Sequence, residues 1–95
     1  MTWTDFGGQT GLGQATALTA ETGYFWFFND RNVEIVFKLL DGRGINGHFW
    51  VFIASLTNVA FELTVTDTQS GATKTYTNTA GTFASIGDTM AFPDP

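Results

Sequence analysis

His48 is the only histidine in the chain, so a proton-shuttling centre has one imidazole to build on. A nucleophilic triad would join it to Ser55 and Asp67, with the hydroxyl attacking and the carboxylate orienting the ring. Nothing in the spacing of these three converges them, and a histidine hydrogen-bonded at a hairpin end explains His48 equally well. Glycoside hydrolysis would need two carboxyl groups across a cleft, drawn from Glu34, Asp41 or Asp88. A chain of 95 residues has little room to wall such a cleft. The stretch 41–47 offers Asp41 and Asn46 as oxygen ligands for calcium. A calcium loop needs several alternating acidic ligands, however, and this one has a single carboxylate with Arg43 close by. A plain hairpin turn is the expectation there. The glycine-rich stretch 7–13 lacks the Lys-Ser/Thr ending and following helix of a phosphate cradle, so a flexible loop is expected. With no cysteine there is no disulfide, thiolate zinc site or thiol nucleophile. These residues predict no catalytic group, no cofactor and no metal; the chain reads as a non-enzyme.

The chemistry that remains is aromatic. Residues 23–28 and 47–54 hold eight of the fifteen Phe, Trp and Tyr side chains. Strand periodicity puts Tyr24, Trp26 and Phe28 on one face and Phe25 and Phe27 on the other. By the same rule Trp50 and Phe52 share a face with His48, opposite Phe49, Val51 and Ile53. An antiparallel strand with one wet face should not be apolar on both. Either these are central strands covered on both sides, or one face is a platform open to a peptide or a sugar. The candidate contact residues are therefore Trp3, Tyr24, Trp26, Phe28, Trp50 and Phe52. The expected partner is protein, a second copy or a domain of the same parent, with carbohydrate as the alternative and a structural spacer as a third reading.

Charge narrows the partners further. Nine Asp and Glu face four basic residues, a net charge of −5, and Arg31, Lys38, Arg43 and Lys74 are scattered. Nucleic-acid affinity comes from clustered Lys and Arg releasing counterions, and anionic membranes attract the same clusters, so neither is expected. No run reaches the roughly 18 apolar residues of a membrane span. Residues 1–20 are polar and rich in Gly and Thr, without the basic and apolar regions of a signal peptide.

The elements that must position these side chains are strands. Sixteen threonines, ten Phe and many Val and Ile favour them, and Gly, Asn or Asp punctuates the chain about every ten residues. The clearest strand is 59–67, with Val59, Phe61, Leu63 and Val65 inward and Ala60, Glu62, Thr64 and Thr66 outward. Thr68-Gln69-Ser70-Gly71 turns it into a hairpin with 73–78. Residues 33–40 place Val33, Ile35, Phe37 and Leu39 inward against Glu34, Val36 and Lys38. Strand 48–54 follows, and residues 55–58 should turn it directly into 59–67, extending a meander. Further strands are expected at 14–20 and 23–28, the end of one at 2–6, a short edge at 83–86, and a tail over 88–95. The reading is one all-β domain over 1–95, an antiparallel β-sandwich or flattened barrel of about seven strands, largely a meander.

The runs Thr22-Gly23-Tyr24-Phe25-Trp26-Phe27-Phe28, Leu40-Asp41-Gly42, Asn46-Gly47-His48-Phe49-Trp50-Val51-Phe52 and Leu63-Thr64-Val65-Thr66-Asp67-Thr68 resemble a recurrent all-β module. That module ends larger exported or surface-attached bacterial proteins, and the resemblance covers roughly residues 3–92. It implies an extracellular or cell-surface accessory domain and brings no catalytic residue with it. Against that module the chain starts near the end of the first strand, which predicts an unpaired sheet edge and a homo-oligomer.

Overall fold

The computed structural model describes residues 1–93. Its strands are β1 (Thr2–Thr4), β2 (Thr10–Leu12), β3 (Gln14–Ala17), β4 (Thr22–Trp26), β5 (Val33–Asp41), β6 (His48–Ser55), β7 (Ala60–Thr66), β8 (Thr73–Asn78) and β9 (Ser85–Pro93). They form two antiparallel sheets, a four-stranded one in the order β2-β1-β7-β8 and a five-stranded one in the order β3-β4-β5-β6-β9. The chain is thus an all-β sandwich, with nine strands among the described residues where about seven were expected.

The core follows the period-2 pattern where that pattern is cleanest. Val59, Phe61 and Leu63 are buried under one sheet, and Phe25, Phe27, Ile35, Val51 and Ile53 under the other. Glu62, Thr64 and Thr66 face water, as the alternation of β7 requires. The pattern breaks at the start of β5. A register shift pairs Phe25 with Ile35 but Trp26 with Val33, leaving Glu34 without a facing residue on β4. This bulge turns Val33 to the side of Trp26 and buries Glu34, against the expected alternation. The Asn32 side-chain amide donates to the Glu34 carboxylate at 2.6 Å, which answers the polar group taken from water.

Residues 55–58 do not continue a meander. They carry the chain from the five-stranded sheet into the four-stranded one, and β6 and β7 are not neighbours. The crossing is held by polar bonds: the Ala84 N–H donates to Ser55 Oγ at 2.5 Å, and the Ser55 N–H to the Ala84 carbonyl at 2.9 Å. The buried Asn78 amide donates to the Val59 carbonyl at 3.1 Å and the Thr82 carbonyl at 2.6 Å. The meander survives only as β3-β4-β5-β6.

Both chain ends are more ordered than expected. Where a flexible loop was predicted, Asp5 Oδ1 accepts the N–H groups of Gly7 and Gln9 at 3.0 and 2.8 Å, and β2 returns beside β1. Residues expected as a tail belong to β9, an edge strand on β6 through Pro93. Asp94 and Pro95 lie outside the described residues. The 41–47 loop makes the expected hairpin connection between β5 and β6, though with more structure than a plain turn. It closes with a helical turn, α1 (Arg43–Asn46), ended by Gly47 at φ 75°, a left-handed conformation that glycine adopts without a Cβ penalty.

The two sides of the sandwich are closed differently. On one, Gly13 alone separates β2 from β3, so the chain bends from sheet to sheet. On the other, side chains bridge β8 to β9: the Tyr76 hydroxyl donates to Asp88 Oδ2 at 2.7 Å, with Lys74 Nζ 3.3 Å from the same oxygen. Burial alone would raise the Asp88 carboxyl. The bonds from Tyr76, the Met90 N–H and Lys74 outweigh it and hold the carboxyl below its ordinary range. Burial first, and then the Asp88 carboxylate, pushes Tyr76 above its usual value of 10.0. The signs follow. Depression at Asp88 supplies stability above the ordinary carboxylate range that fades as the pH falls through and below it. Elevation at Tyr76 supplies stability that fades as the pH rises past 10.0. Urea midpoints measured against pH should therefore lose part of their acid slope in Asp88→Asn and part of their alkaline slope in Tyr76→Phe. Slopes unchanged in both variants would mean the clasp does not close this side.

Candidate functional site

The groups that could do acid–base chemistry are kept apart. His48 opens β6 and Ser55 ends it, which separates them by about 23 Å along an extended strand. His48 Nδ1 lies 2.9 Å from the Asn46 carbonyl oxygen. Asp67 is engaged in its own turn, accepting from the Gln69 N–H at 3.0 Å and the Ser70 hydroxyl at 3.0 Å. The carboxylates are engaged separately: Glu34 with Asn32 and Asp41 with Arg43 Nη2 at 2.8 Å, each within its own segment, and Asp88 with Tyr76 across the two sheets. Hydrogen bonds from the Arg43 side chain and backbone hold the Asp41 carboxyl at about 2. Among the described residues no three His, Cys, Asp or Glu side chains gather as metal ligands.

The aromatic residues divide into two sets. Cross-strand partners share a face, so the ladders align Thr16, Tyr24, Val36, Ala54 and Ser85 in one row on the outer face of the five-stranded sheet. The next row holds Thr22, Lys38, Phe52 and Gly87, and the one beyond it pairs Leu40 with Trp50. Trp26 stands at the far end between Gln14 and Val33. Tyr24, Trp26, Trp50 and Phe52 are each half-buried on this face, with Val36 and Leu40 filling the ground between them.

The outer surface is partly built by its own neighbours. The Trp50 ring lies on Gly42, where a Cβ would collide with it, and its indole N–H donates to Asn46 Oδ1 at 2.8 Å. Phe52 meets Trp50 edge to face, at 6.3 Å between ring centroids and 80° between planes. The Lys38 ammonium sits 5.2 Å over the Phe52 ring, a cation–π contact. The loop turn therefore fixes Trp50, and a strand lysine covers Phe52.

Trp3 and Phe28 were grouped with these residues in the sequence and belong elsewhere. Trp3 pairs with Phe61 and Gly11 on the inner face of the four-stranded sheet. Its ring stacks on Phe27 at 6.1 Å and meets Phe28 edge to face at 4.7 Å. Its buried indole N–H has no hydrogen-bond partner among the described residues. Phe28, beyond the end of β4, leaves the outer rows to cover this tryptophan and stays 51% exposed. Lys38, Val36 and Leu40 were not named as contact residues. Their own period-2 spacing puts them on one face, but only the ladder register places that face beside the aromatics.

No family model matches the chain, and neither a curated protein nor a solved structure matches it.

Proposed function

We propose that this domain is a non-catalytic assembly module of an exported bacterial protein. It joins its partner, a second copy or a neighbouring domain of the same parent, through the outer face of the five-stranded sheet. One observation carries the reading: four half-buried aromatics and two aliphatic residues share that face, with no layer above them among the described residues. Interfaces concentrate Tyr, Trp and Phe at their centres and deplete acidic groups there, and these rows contain no carboxylate. Carbohydrate stacking is the weaker reading, because it needs free ring faces. Gly42 and Phe52 take up Trp50, and Lys38 takes up Phe52. An extracellular or cell-surface setting rests on the sequence resemblance alone.

Sedimentation at micromolar concentration tests the reading. The expected result is a mass above the 10.3 kDa chain that falls to the monomer in Tyr24→Ser and Trp26→Ser. A monomer whose tryptophan emission saturates with a soluble polysaccharide would transfer the face to sugar. A monomer that responds to no polysaccharide would remove the second copy as partner and leave a neighbouring domain of the parent or a structural spacer.

A further inference from the structure

Of the asparagines in the chain, only Asn46 is followed by glycine. The backbone nitrogen after an asparagine can attack the side-chain amide carbon, and glycine, lacking a Cβ, hinders that approach least. Asn46 is exposed, so burial does not keep water from it. Hydrogen bonds restrain it instead. Its Nδ2 donates to the Thr89 carbonyl at 2.8 Å, and its Oδ1 accepts from the Trp50 indole at 2.8 Å and the His48 N–H at 3.2 Å. The attacking peptide group is fixed at both ends as well. The Gly47 N–H donates to the Arg43 carbonyl at 3.1 Å, closing α1, and the Asn46 carbonyl accepts from His48 Nδ1 at 2.9 Å. Thr89 itself stands in a break of the β6–β9 ladder. Pairing passes from Phe49 with Phe92 to Val51 with Asp88, so Thr89, Met90 and Ala91 oppose Trp50 alone. Asn46 ties this bulge to the 41–47 loop.

We infer that Asn46-Gly47 is a deamidation site that the fold keeps closed, and whose reaction releases the end of β9. When Asn46 comes free, the Gly47 nitrogen gives its proton to solvent base and bonds to the Asn46 Cγ. The Cγ–Nδ2 bond breaks, Nδ2 takes up a proton and leaves as ammonia, and a five-membered succinimide remains. Water opens that ring at either carbonyl, giving an aspartate or an isoaspartate whose main chain runs through Cγ. The product has lost the donor to Thr89, and a carboxylate oxygen in its place repels that carbonyl. The Trp50 and His48 donors still find an acceptor, so the loss falls on β9, the edge strand of its sheet. Tyr76 continues to hold Asp88, which confines the release to residues 89–93. The change runs one way, and it stands whether or not the outer aromatic face mediates assembly.

The whole protein is compared with the blocked heptapeptide Gly-Arg-Gly-Ile-Asn-Gly-His, the sequence of 42–48 without its fold, in one mildly alkaline buffer. Trypsin cuts after Arg43 and Lys74, so conversion in the protein is read by mass on the fragment 44–74. It is expected to run at least about tenfold slower than in the peptide, because it must wait for a local opening. Trp50→Phe keeps a ring but removes one donor, and should speed conversion about two- to tenfold, the weight of one hydrogen bond. Val59→Ala weakens the opposite end of the sandwich without touching Asn46, and should leave the rate within about twofold. Asn46→Asp, the ordinary product, should speed amide exchange at 89–92 and leave β7 and β8 protected. Equal rates in protein and peptide, or no acceleration in Trp50→Phe, would overturn the proposal. So would an equal acceleration in Val59→Ala, or unchanged exchange at 89–92 in Asn46→Asp.

Discussion

Phe61→Ala is expected to cost about 3–5 kcal/mol, a large share of what a domain of this size has. Phe61 is 4% exposed at the centre of β7, with Trp3 beside it on β1 and Asn78 on β8. Truncation would remove a ring from between the sheets, and the ladders on both sides hold the backbone from collapsing into the space. Ile35→Ala, at 0% exposure on the opposing sheet, should cost about 2–5 kcal/mol for the same reason. The contrast lies one residue along the strand. Glu62 and Thr64 face water, so Glu62→Ala and Thr64→Ala should change stability by no more than about 0.5–1 kcal/mol. Urea midpoints of the four variants decide it. Outward variants that cost more than inward ones would put the register of β7 off by one.

Gly23→Ala should destabilise by about 1–3 kcal/mol, although alanine ordinarily suits a strand better than glycine. Gly23 is buried in β4 between Ala17 and Phe37. A Cβ there would lie 2.6 Å from the Phe37 ring and 2.8 Å from the Thr16 carbonyl oxygen. The ring could swing away, but the carbonyl belongs to the β3–β4 ladder and moves only if that ladder does. Hydrogen exchange at β3 should accelerate together with the loss of stability. Gly44→Ala is the control. Nothing lies within 4 Å of its added Cβ, and its helical turn should gain about 0.5–1 kcal/mol. A Gly23→Ala variant as stable as the parent would show that the sheet yields at no cost.

How far the sequence could be read depended on how local the deciding interaction was. The β7–β8 hairpin was legible residue by residue, because its alternation is uninterrupted and Gly71, at φ 77°, marks the turn. Tyr24 with Trp26, and Trp50 with Phe52, were legible as pairs sharing a face of their own strand for the same reason; that both pairs turn to one side of the sheet comes from the β4–β5–β6 ladders. Phe28 was not, since period-2 reasoning holds only while the strand lasts, and β4 ends at Trp26. Glu34 went wrong at a bulge, where one extra residue inverts the faces without leaving a mark in composition.

By itself, the sequence determined an all-β antiparallel domain, a sandwich or flattened barrel, with an acidic composition without a basic cluster, and which aromatics alternate along each strand. These properties follow from side-chain type and a two-residue repeat, so neighbours along the chain are enough to set them. Only the tertiary structure decided that residues 55–58 change sheets and that β9 closes against β6. It also placed Trp3 inside, beside Phe61, while Trp50 lies outside on Gly42. Those outcomes depend on which strand edges meet across long stretches of chain. A strand carries the same alternation whichever neighbour it pairs with, so its partner is chosen by burial and backbone pairing over the whole sandwich.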